Sequence, residues 1–158
     1  MDMKAKRVSD SYTEQAQILT PATLNGVGRL FGGQLMQWID VVAGVVARRH
    51  AGCNVTTAAV DTLTFSGPAY ANDLILLAGH ITYVGTTSIE VCVKTYVEAV
   101  SGERKLINTA YMLMVALDET ERPTEVPRLI LETDEHRHDW EQGLRRNALR
   151  KQRRKEAY

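Results

Sequence analysis

The sequence predicts an α+β domain in which one long apolar helix precedes an antiparallel sheet. Residues 33–51 contain no proline and place apolar side chains at helical spacing, and Gly52 supplies a stop signal. Four segments rich in β-branched residues follow, and only short turns separate them. Parallel strands would need crossover helices, for which the chain has no room, so we expect antiparallel pairing.

Composition places the chain among ordinary globular proteins. Its 158 residues suit one domain, with 44% apolar and 24% charged residues, and the 19 basic and 19 acidic residues cancel. We therefore expect no general attraction to nucleic acid or to a membrane surface. Cys53 and Cys92 show no metal-ligand spacing, which indicates reduced thiols and neither a disulfide framework nor a metal site.

The chain ends differ in character from its middle. The first ten residues are polar, without the apolar stretch of a signal peptide, and no run approaches the length of a membrane helix. We therefore expect a cytoplasmic protein. The predicted organisation is an N-terminal arm at 1–11, a domain at 12–128 and a charged helical tail at 129–158. A first strand is expected at 12–19, because Pro21 cannot continue a ladder of hydrogen bonds.

A glycine-rich loop runs directly into the long helix. Its glycines allow tight turns and close approach by another molecule; they are Gly26, Gly28, Gly32 and Gly33. The first turn of a helix carries N–H groups without intrahelical partners and the positive end of its dipole. This helix start therefore suits an oxygen atom that carries negative charge.

The helix carries one carboxylate, Asp40, among apolar residues. Two apolar stripes leave little of its surface polar: Leu35, Ile39, Val42 and Val46 form the first, and Met36, Ala43 and Ala47 the second. We therefore expect a helix buried on most sides, with Asp40 inside the fold on a face of mostly small residues. A buried carboxylate is costly unless it has a partner. From the residues alone it is either a structural group or a general base or nucleophile.

The strands are expected at 55–65, 73–84, 89–98 and 105–117. The third alternates most regularly, which predicts a face of Glu90, Cys92 and Lys94 turned to solvent. Polar residues around the helix exit and the first of these strands are weak site candidates, since buried threonines in sheets are more often structural. They are Asn54, Thr56, Thr57 and Asp61.

The tail at 132–158 is acidic first and basic afterwards, the order that complements a helix dipole. Trp140, Leu144 and Ala148 form one narrow apolar seam, so we expect a solvated, weakly docked helix. A clamp for phosphate groups and a nucleic-acid patch are the alternatives. His136 and His138 are weak evidence for a metal.

The loop and helix resemble a known family. Asn25, Gly28, the Phe-Gly-Gly at 31–33, the Trp-Ile-Asp at 38–40, Phe65 and the Val-Gly-Thr-Thr-Ser at 84–88 resemble acyl-CoA thioesterases of the hotdog fold. The resemblance covers about residues 12–128 and fades in the tail. It implies a long central helix wrapped by an antiparallel sheet, dimers that assemble into trimers of dimers, and hydrolysis of acyl-CoA to free acid and CoA.

The same resemblance assigns roles to single residues. Asn25 and Asp40 take the positions of the catalytic Asn and Asp, and Gly32 with Gly33 that of the oxyanion site. It also implies that Asn25 and Asp40 come from different subunits. No metal or redox cofactor is implied, and coenzyme A enters only as part of the substrate.

The residues expected near CoA are Phe65, Gly85 and Ser88 by the resemblance, and Arg48 by its chemistry. Arg48 stands near the helix end, where it either complements the dipole or binds a phosphate of CoA.

Two other functions remain open at this point. A non-catalytic acyl-CoA sensor would use the same fold and the basic tail. A hotdog dehydratase is less favoured, because the loop-helix segment at 25–40 contains no His to pair with a carboxylate.

Overall fold

The computed structural model describes residues 3–157 and has the predicted α+β architecture. In chain order its elements are β1 (Lys6–Arg7), β2 (Thr13–Ile18), α1 (Gly32–Ala51), β3 (Asn54–Phe65), β4 (Leu74–Val84), β5 (Ser88–Glu98), β6 (Arg104–Leu117), β7 (Leu129–Ile130) and α2 (Asp134–Lys155). Short 3-10 turns lie at Val8–Asp10 and Pro21–Thr23. The long helix and the five main strands lie within two residues of their predicted bounds.

The main sheet has the order β2-β4-β5-β6-β3, and every neighbouring pair is antiparallel, as predicted. Within residues 3–157, β3 is therefore an edge strand although it follows α1 directly. A separate parallel pair joins β1 to β7. This pair was not predicted, because two residues are too short to show an alternation.

Helix α1 packs across one face of the sheet. Its buried stripe contacts β4 so closely that a Cβ on Gly79 would lie 2.7 Å from Val42. Glycine is required there because a larger residue would clash with the side chains of Val42 and Val46 on the helix. The helix ends at Gly52, whose φ of 70° is the left-handed conformation of a C-cap.

The prediction that α1 is buried on most sides is wrong for the single chain. Met36 is 46% and Val41 51% exposed, and Asp40 lies on the same exposed face. Periodicity reports which side chains are apolar but does not distinguish a core from a surface that another subunit covers.

Helix α2 covers the opposite face of the sheet. Glu90 and Cys92, predicted to face solvent, are 0% and 1% exposed because α2 lies over them. Burial raises the pKa of the Cys92 thiol to about 11. The Trp140 ring packs against the Tyr83 ring at a tilt of 48°, with ring centroids 4.6 Å apart, and a Cβ on Gly143 would lie 2.6 Å from Cβ of Tyr83.

The docking face of α2 is polar, so the predicted apolar seam is wrong beyond Trp140. Leu144 is 46% exposed and Ala148 is also exposed, whereas Arg150 is only 7% exposed. Arg146 and Arg150 bind Glu90 at 2.7 and 2.8 Å. The prediction of a weakly docked helix is therefore also wrong, since the helix neutralises a fully buried carboxylate.

Further contacts complete this arginine cluster. The Thr82 hydroxyl donates to Glu90 at 2.6 Å, and the guanidinium of Arg146 lies 3.8 Å above the Tyr111 ring. Arg150 and Arg153 bind Asp61 on β3 at 3.1 and 2.7 Å. Three arginines of the basic tail thus bind carboxylates of the same chain, which weakens the nucleic-acid alternative.

No helix in the described part of the chain is long and apolar enough to cross a membrane. The predicted arm and tail pair with each other through β1 and β7, and each also contacts the domain body, because Lys6 Nζ donates to Arg49 O and Arg150 binds Glu90. Residues 1, 2 and 158 of these segments lie outside the described residues. The boundaries 1–11, 12–128 and 129–158 stay predictions.

Candidate functional site

Asp40 faces β3 and is held by one hydrogen bond. The Thr57 hydroxyl donates to Oδ1 of Asp40 at 2.6 Å. Within residues 3–157, Oδ2 of Asp40 has no hydrogen-bond partner. A cavity of about 290 Å³ lies beside the carboxylate, and most of its lining is apolar; it is lined by Gly33, Met36, Gln37, Ile39, Asp40, Val60, Leu63 and Met112.

The start of α1 borders the same cavity. The Phe31 N–H donates to Thr23 O at 2.9 Å, but in the described chain the N–H groups of Gly32 and Gly33 have no acceptor. A Cβ on Gly33 would lie 2.8 Å from the Phe31 ring, so glycine keeps this helix start open. The cavity is therefore lined both by Gly33, whose N–H is free, and by a carboxylate on the same helix, and the free N–H of Gly32 lies one residue before Gly33.

Asn25 organises the preceding loop. Its Oδ1 accepts hydrogen bonds from the N–H groups of Val27 and Arg29 at 3.0 and 3.1 Å, and Gly28 adopts a φ of 76°. Only the Nδ2 donor of Asn25 remains without a partner in the described residues. This side chain lines a different cavity, of about 300 Å³, together with Phe65. A single chain does not place Asn25 and Asp40 in one cavity.

The residues expected near CoA lie at opposite ends of the sheet. Gly85 and Ser88 close the β4–β5 turn, where the Gly85 N–H donates to Ser88 O at 2.9 Å. Arg48 lies towards the same end and lines an open cleft of about 970 Å³. Phe65 lies at the other end of β3, 3.7 Å from where a Cβ on Gly32 would be.

His50, His80 and His136 have structural partners. Nε2 of the buried His50 lies 2.8 Å from Pro127 O, and burial lowers the pKa of His50 below its ordinary value. His136 accepts a hydrogen bond from the Glu132 N–H at 3.2 Å. Among the residues that the structure describes, no group of three His, Cys, Asp or Glu side chains could hold a metal ion.

Thr57 was only one of four weak candidates in the sequence. A usable signal exists, because alternating strand residues share a face. Val55 must face the helix, and Thr57 shares its face. The other candidates lie elsewhere: Asn54 and Thr56 alternate with Val55 and so lie on the opposite face of the strand, and Asp61 binds α2.

Comparisons with known proteins match this fold and this loop. A family model described as the Thioesterase superfamily matches residues 27–100. The uncharacterized acyl-CoA thioester hydrolase YkhA of Bacillus subtilis is 40% identical over 116 residues, which are 73% of this chain and 67% of YkhA. The chain belongs to the acyl-CoA thioester hydrolase family. A more distant relative is the cytosolic acyl coenzyme A thioester hydrolase of Rattus norvegicus, 30% identical over 139 residues, which are 86% of this chain and 36% of that protein.

Solved structures confirm the predicted hotdog thioesterase fold. A hexameric acyl-CoA thioesterase matches with a TM-score of 0.91 and 34% identity over 96% of this chain and 97% of its own. An acyl-CoA hydrolase of Staphylococcus aureus, solved with butyryl coenzyme A and coenzyme A, matches with a TM-score of 0.92 and 32% identity over 97% of this chain and 94% of its own. The likeness therefore extends into the tail, beyond the predicted range.

Single-residue variants of the S. aureus hydrolase also match. In three structures an aspartate, an asparagine or a threonine is replaced by alanine, with TM-scores of 0.93, 0.93 and 0.92 at 31% identity. The asparagine precedes the aspartate by fifteen positions, and the threonine follows the aspartate by seventeen.

Proposed function

We infer that the protein hydrolyses acyl-CoA thioesters to a free carboxylic acid and CoA, the activity that its family is named for. One observation carries the residue-level mechanism. One mostly apolar cavity is lined by a carboxylate that Thr57 orients and by Gly33, whose N–H is free at the start of the same helix. This arrangement fits an acyl carbonyl bound between a base and an oxyanion site.

The oxyanion site in this proposal is the Gly32-Gly33 helix start. Its N–H groups receive the thioester carbonyl oxygen and stabilise the negative charge that develops during attack. One such donor contributes about 3 to 4 kcal/mol to transition-state stabilisation. The apolar side chains around the cavity receive the acyl chain.

Asp40 supplies either a general base that activates water or a nucleophile that attacks the carbonyl carbon. In both routes the C–S bond breaks, CoA leaves as its thiol, and water supplies the second oxygen of the acid. The Thr57 hydrogen bond to Oδ1 fixes the carboxylate and leaves Oδ2 for the reaction. Asn25 donates through Nδ2 to the carbonyl or to the water, because its Oδ1 is committed to the loop.

The proposed site is shared between two subunits of a homodimer. Strand β3 is a free edge in the described chain, and apolar side chains near it are exposed; they are Met36, Val41, Val60 and Phe65. A second copy that covers this surface brings its Asn25 towards the Asp40 cavity. The hexameric relative supports further assembly into a trimer of dimers.

The S. aureus variants support the choice of residues. Asn25, Asp40 and Thr57 are the same three residue types, with the same spacings of fifteen and seventeen positions. We therefore propose Thr57 as a third member of the site, as the residue that orients Asp40.

CoA binding in this proposal uses residues of both subunits. Gly85, Ser88 and Arg48 lie near one end of the sheet and Phe65 at the other, so one CoA contacts both groups only if they come from different chains. Arg48 is exposed and suits a phosphate of CoA.

We further propose a cytoplasmic location, which the cytosolic name of the rat relative supports. The proposed chemistry uses no metal or redox cofactor, and CoA takes part only within the substrate.

The decisive experiment measures free-thiol release from short, medium and long acyl-CoAs. We expect turnover by the parent protein and a loss of several orders of magnitude in Asp40→Asn. Asp134→Asn, which changes an exposed carboxylate on α2, is the matched control and should keep parental turnover. Light scattering on each variant tests whether the assembly is retained.

Binding of acyl-CoA without thiol release would contradict this function and favour the non-catalytic sensor. For a sensor that binds nucleic acid, affinity should also fall steeply with salt. Hydration of an enoyl-CoA would instead favour the dehydratase.

A further inference from the structure

Asp61 lies on the face of the sheet that α2 covers, four residues after Thr57 on the same strand. Its side chain is only 3% exposed, although β3 is an edge strand. Arg150 binds one carboxylate oxygen at 3.1 Å and Arg153 binds the other at 2.7 Å. The C-terminal helix therefore holds the strand that carries the proposed orienting hydroxyl.

The held segment is irregular. The register between β3 and β6 shifts between Thr57 and Ala59 and again between Val60 and Thr62. Ala58 and Asp61 consequently have no register partner on β6. Such β-bulges bend a strand and change where neighbouring side chains point. Thr57 immediately precedes the first bulge, and Asp61 is the second.

Arg150 connects this segment to the interior of the sheet. The same Nη1 atom that binds Asp61 also binds Glu90 on β5 at 2.8 Å. Strand β6 lies between β5 and β3, so Arg150 links carboxylates from two strands that are not neighbours in the sheet. Because Glu90 is fully buried and also bound by Arg146, it is a fixed anchor.

We propose that Arg150 is a positioning residue for hydrolysis. Through Asp61 it fixes the bulged segment of β3 and thereby the place of the Thr57 hydroxyl beside Asp40. A buried ion pair contributes little net stability compared with apolar packing, so stability alone gives a weak reason for charges here. A small displacement of an orienting group lowers the reaction rate, and this gives a stronger reason for charges at this position. This inference rests on the proposed function of Asp40.

Asp61→Asn tests the link, because it keeps the side-chain shape and leaves Arg150 bound to Glu90. We expect kcat to fall by about three- to thirtyfold, the range of coupling through a neighbouring network. The KM for acyl-CoA should stay within about twofold, since Asp61 faces away from the cavity. Arg153→Gln, which removes the more exposed partner of Asp61, should lower kcat in the same direction and serves if Asp61→Asn does not fold.

The decisive comparison uses Thr57→Val as the background. If Asp61 acts through the hydroxyl, Asp61→Asn should cause no further loss of kcat once the hydroxyl is gone. Asp139→Asn is the matched control, because it loosens the same helix at its contact with His80 on β4 and leaves β3 untouched. This control should keep the parental kcat.

Three results would overturn the proposal: an unchanged kcat in Asp61→Asn, an equal loss in the Thr57→Val background, or an equal loss in Asp139→Asn. Failure of the proposed function is distinguishable, since the parent protein would then release no thiol, or Asp40→Asn and Thr57→Val would both keep the parental kcat.

Discussion

The Thr57 hydroxyl joins β3 to α1 through its 2.6 Å hydrogen bond to Asp40. Thr57→Val keeps the shape of the side chain and removes the donor. A hydrogen bond to a charged group contributes about 1.5 to 3 kcal/mol, so kcat should fall about ten- to hundredfold. Steady-state kinetics with one acyl-CoA measures this change. Thr62→Val, at an exposed position of the same strand, should have no such effect, and equal losses in the two variants would contradict the specific role of Thr57.

Gly33→Ala tests the helix start. The added Cβ would lie 2.8 Å from the Phe31 ring, so the ring or the first turn of the helix must shift. We expect kcat to fall by at least about tenfold, because oxyanion donors lose their alignment. Gly26→Ala is the control within the same loop, since nothing lies within 4 Å of its added Cβ. An active Gly33→Ala enzyme would show that the oxyanion site lies elsewhere.

Mixed oligomers test whether subunits share a site. Asn25→Ala and Asp40→Ala should each be inactive. Unfolding and refolding them together should restore about a quarter of parental activity, because about half of the dimers are mixed and each mixed dimer has one complete site of two. Mixing Asp40→Ala with Thr57→Val should restore none, because both residues belong to one chain's half of the site. No recovery in the first mixture would place Asn25 and Asp40 in a single subunit.

Glu90→Gln removes the buried carboxylate that Arg146 and Arg150 share. Breaking one partner of a buried ion pair costs about 3 to 5 kcal/mol, because the remaining charges lose their compensation. Denaturant unfolding should show a loss of that size. Glu98→Gln, which breaks an exposed pair with Arg104, should cost less than about 1 kcal/mol. Similar losses for the two variants would mean that α2 does not depend on the buried charge.

His50 makes stability depend on pH. Burial lowers its pKa in the folded state, so below pH about 6.5 the unfolded chain binds the extra proton more readily. The free energy of unfolding should therefore fall as pH drops through that range, by at most about 1.4 kcal/mol per pH unit for this group. His50→Gln should remove this part of the slope. A difference between parent and variant that stays constant from pH 7.5 to 5.5 would contradict the assignment.

Local sequence patterns predicted much of the fold. The stripe of Leu35, Ile39 and Val42 fixed the helix, and turn residues such as Gly85 fixed the strand ends, because each pattern reports geometry within one element. Burial of Glu90 and Cys92 escaped prediction because it depends on α2, which packs from more than forty residues away. Alternating apolar and polar residues show that the two faces of a strand differ, but they do not show what covers the polar face.

The candidate site was predictable in part. The glycine-rich helix start and Asp40 belong to one segment, so spacing and resemblance were enough to find them. Identifying Thr57 required knowing how β3 pairs with β6. Bulges at Ala58 and Asp61 shift the register of that pairing, and no sequence pattern shows them. Exposed Met36 and Val41 were indistinguishable from core residues, because a subunit interface uses the same side chains as an interior.

The bulges of β3 also bear on the newly made chain before it meets a partner. A straight, unpaired edge offers a regular row of N–H and C=O groups to any extended segment, and this is how aggregation starts. Two breaks in β3 interrupt that row. A foreign segment would have to match both breaks, whereas a second copy of the chain carries the same breaks in its own edge.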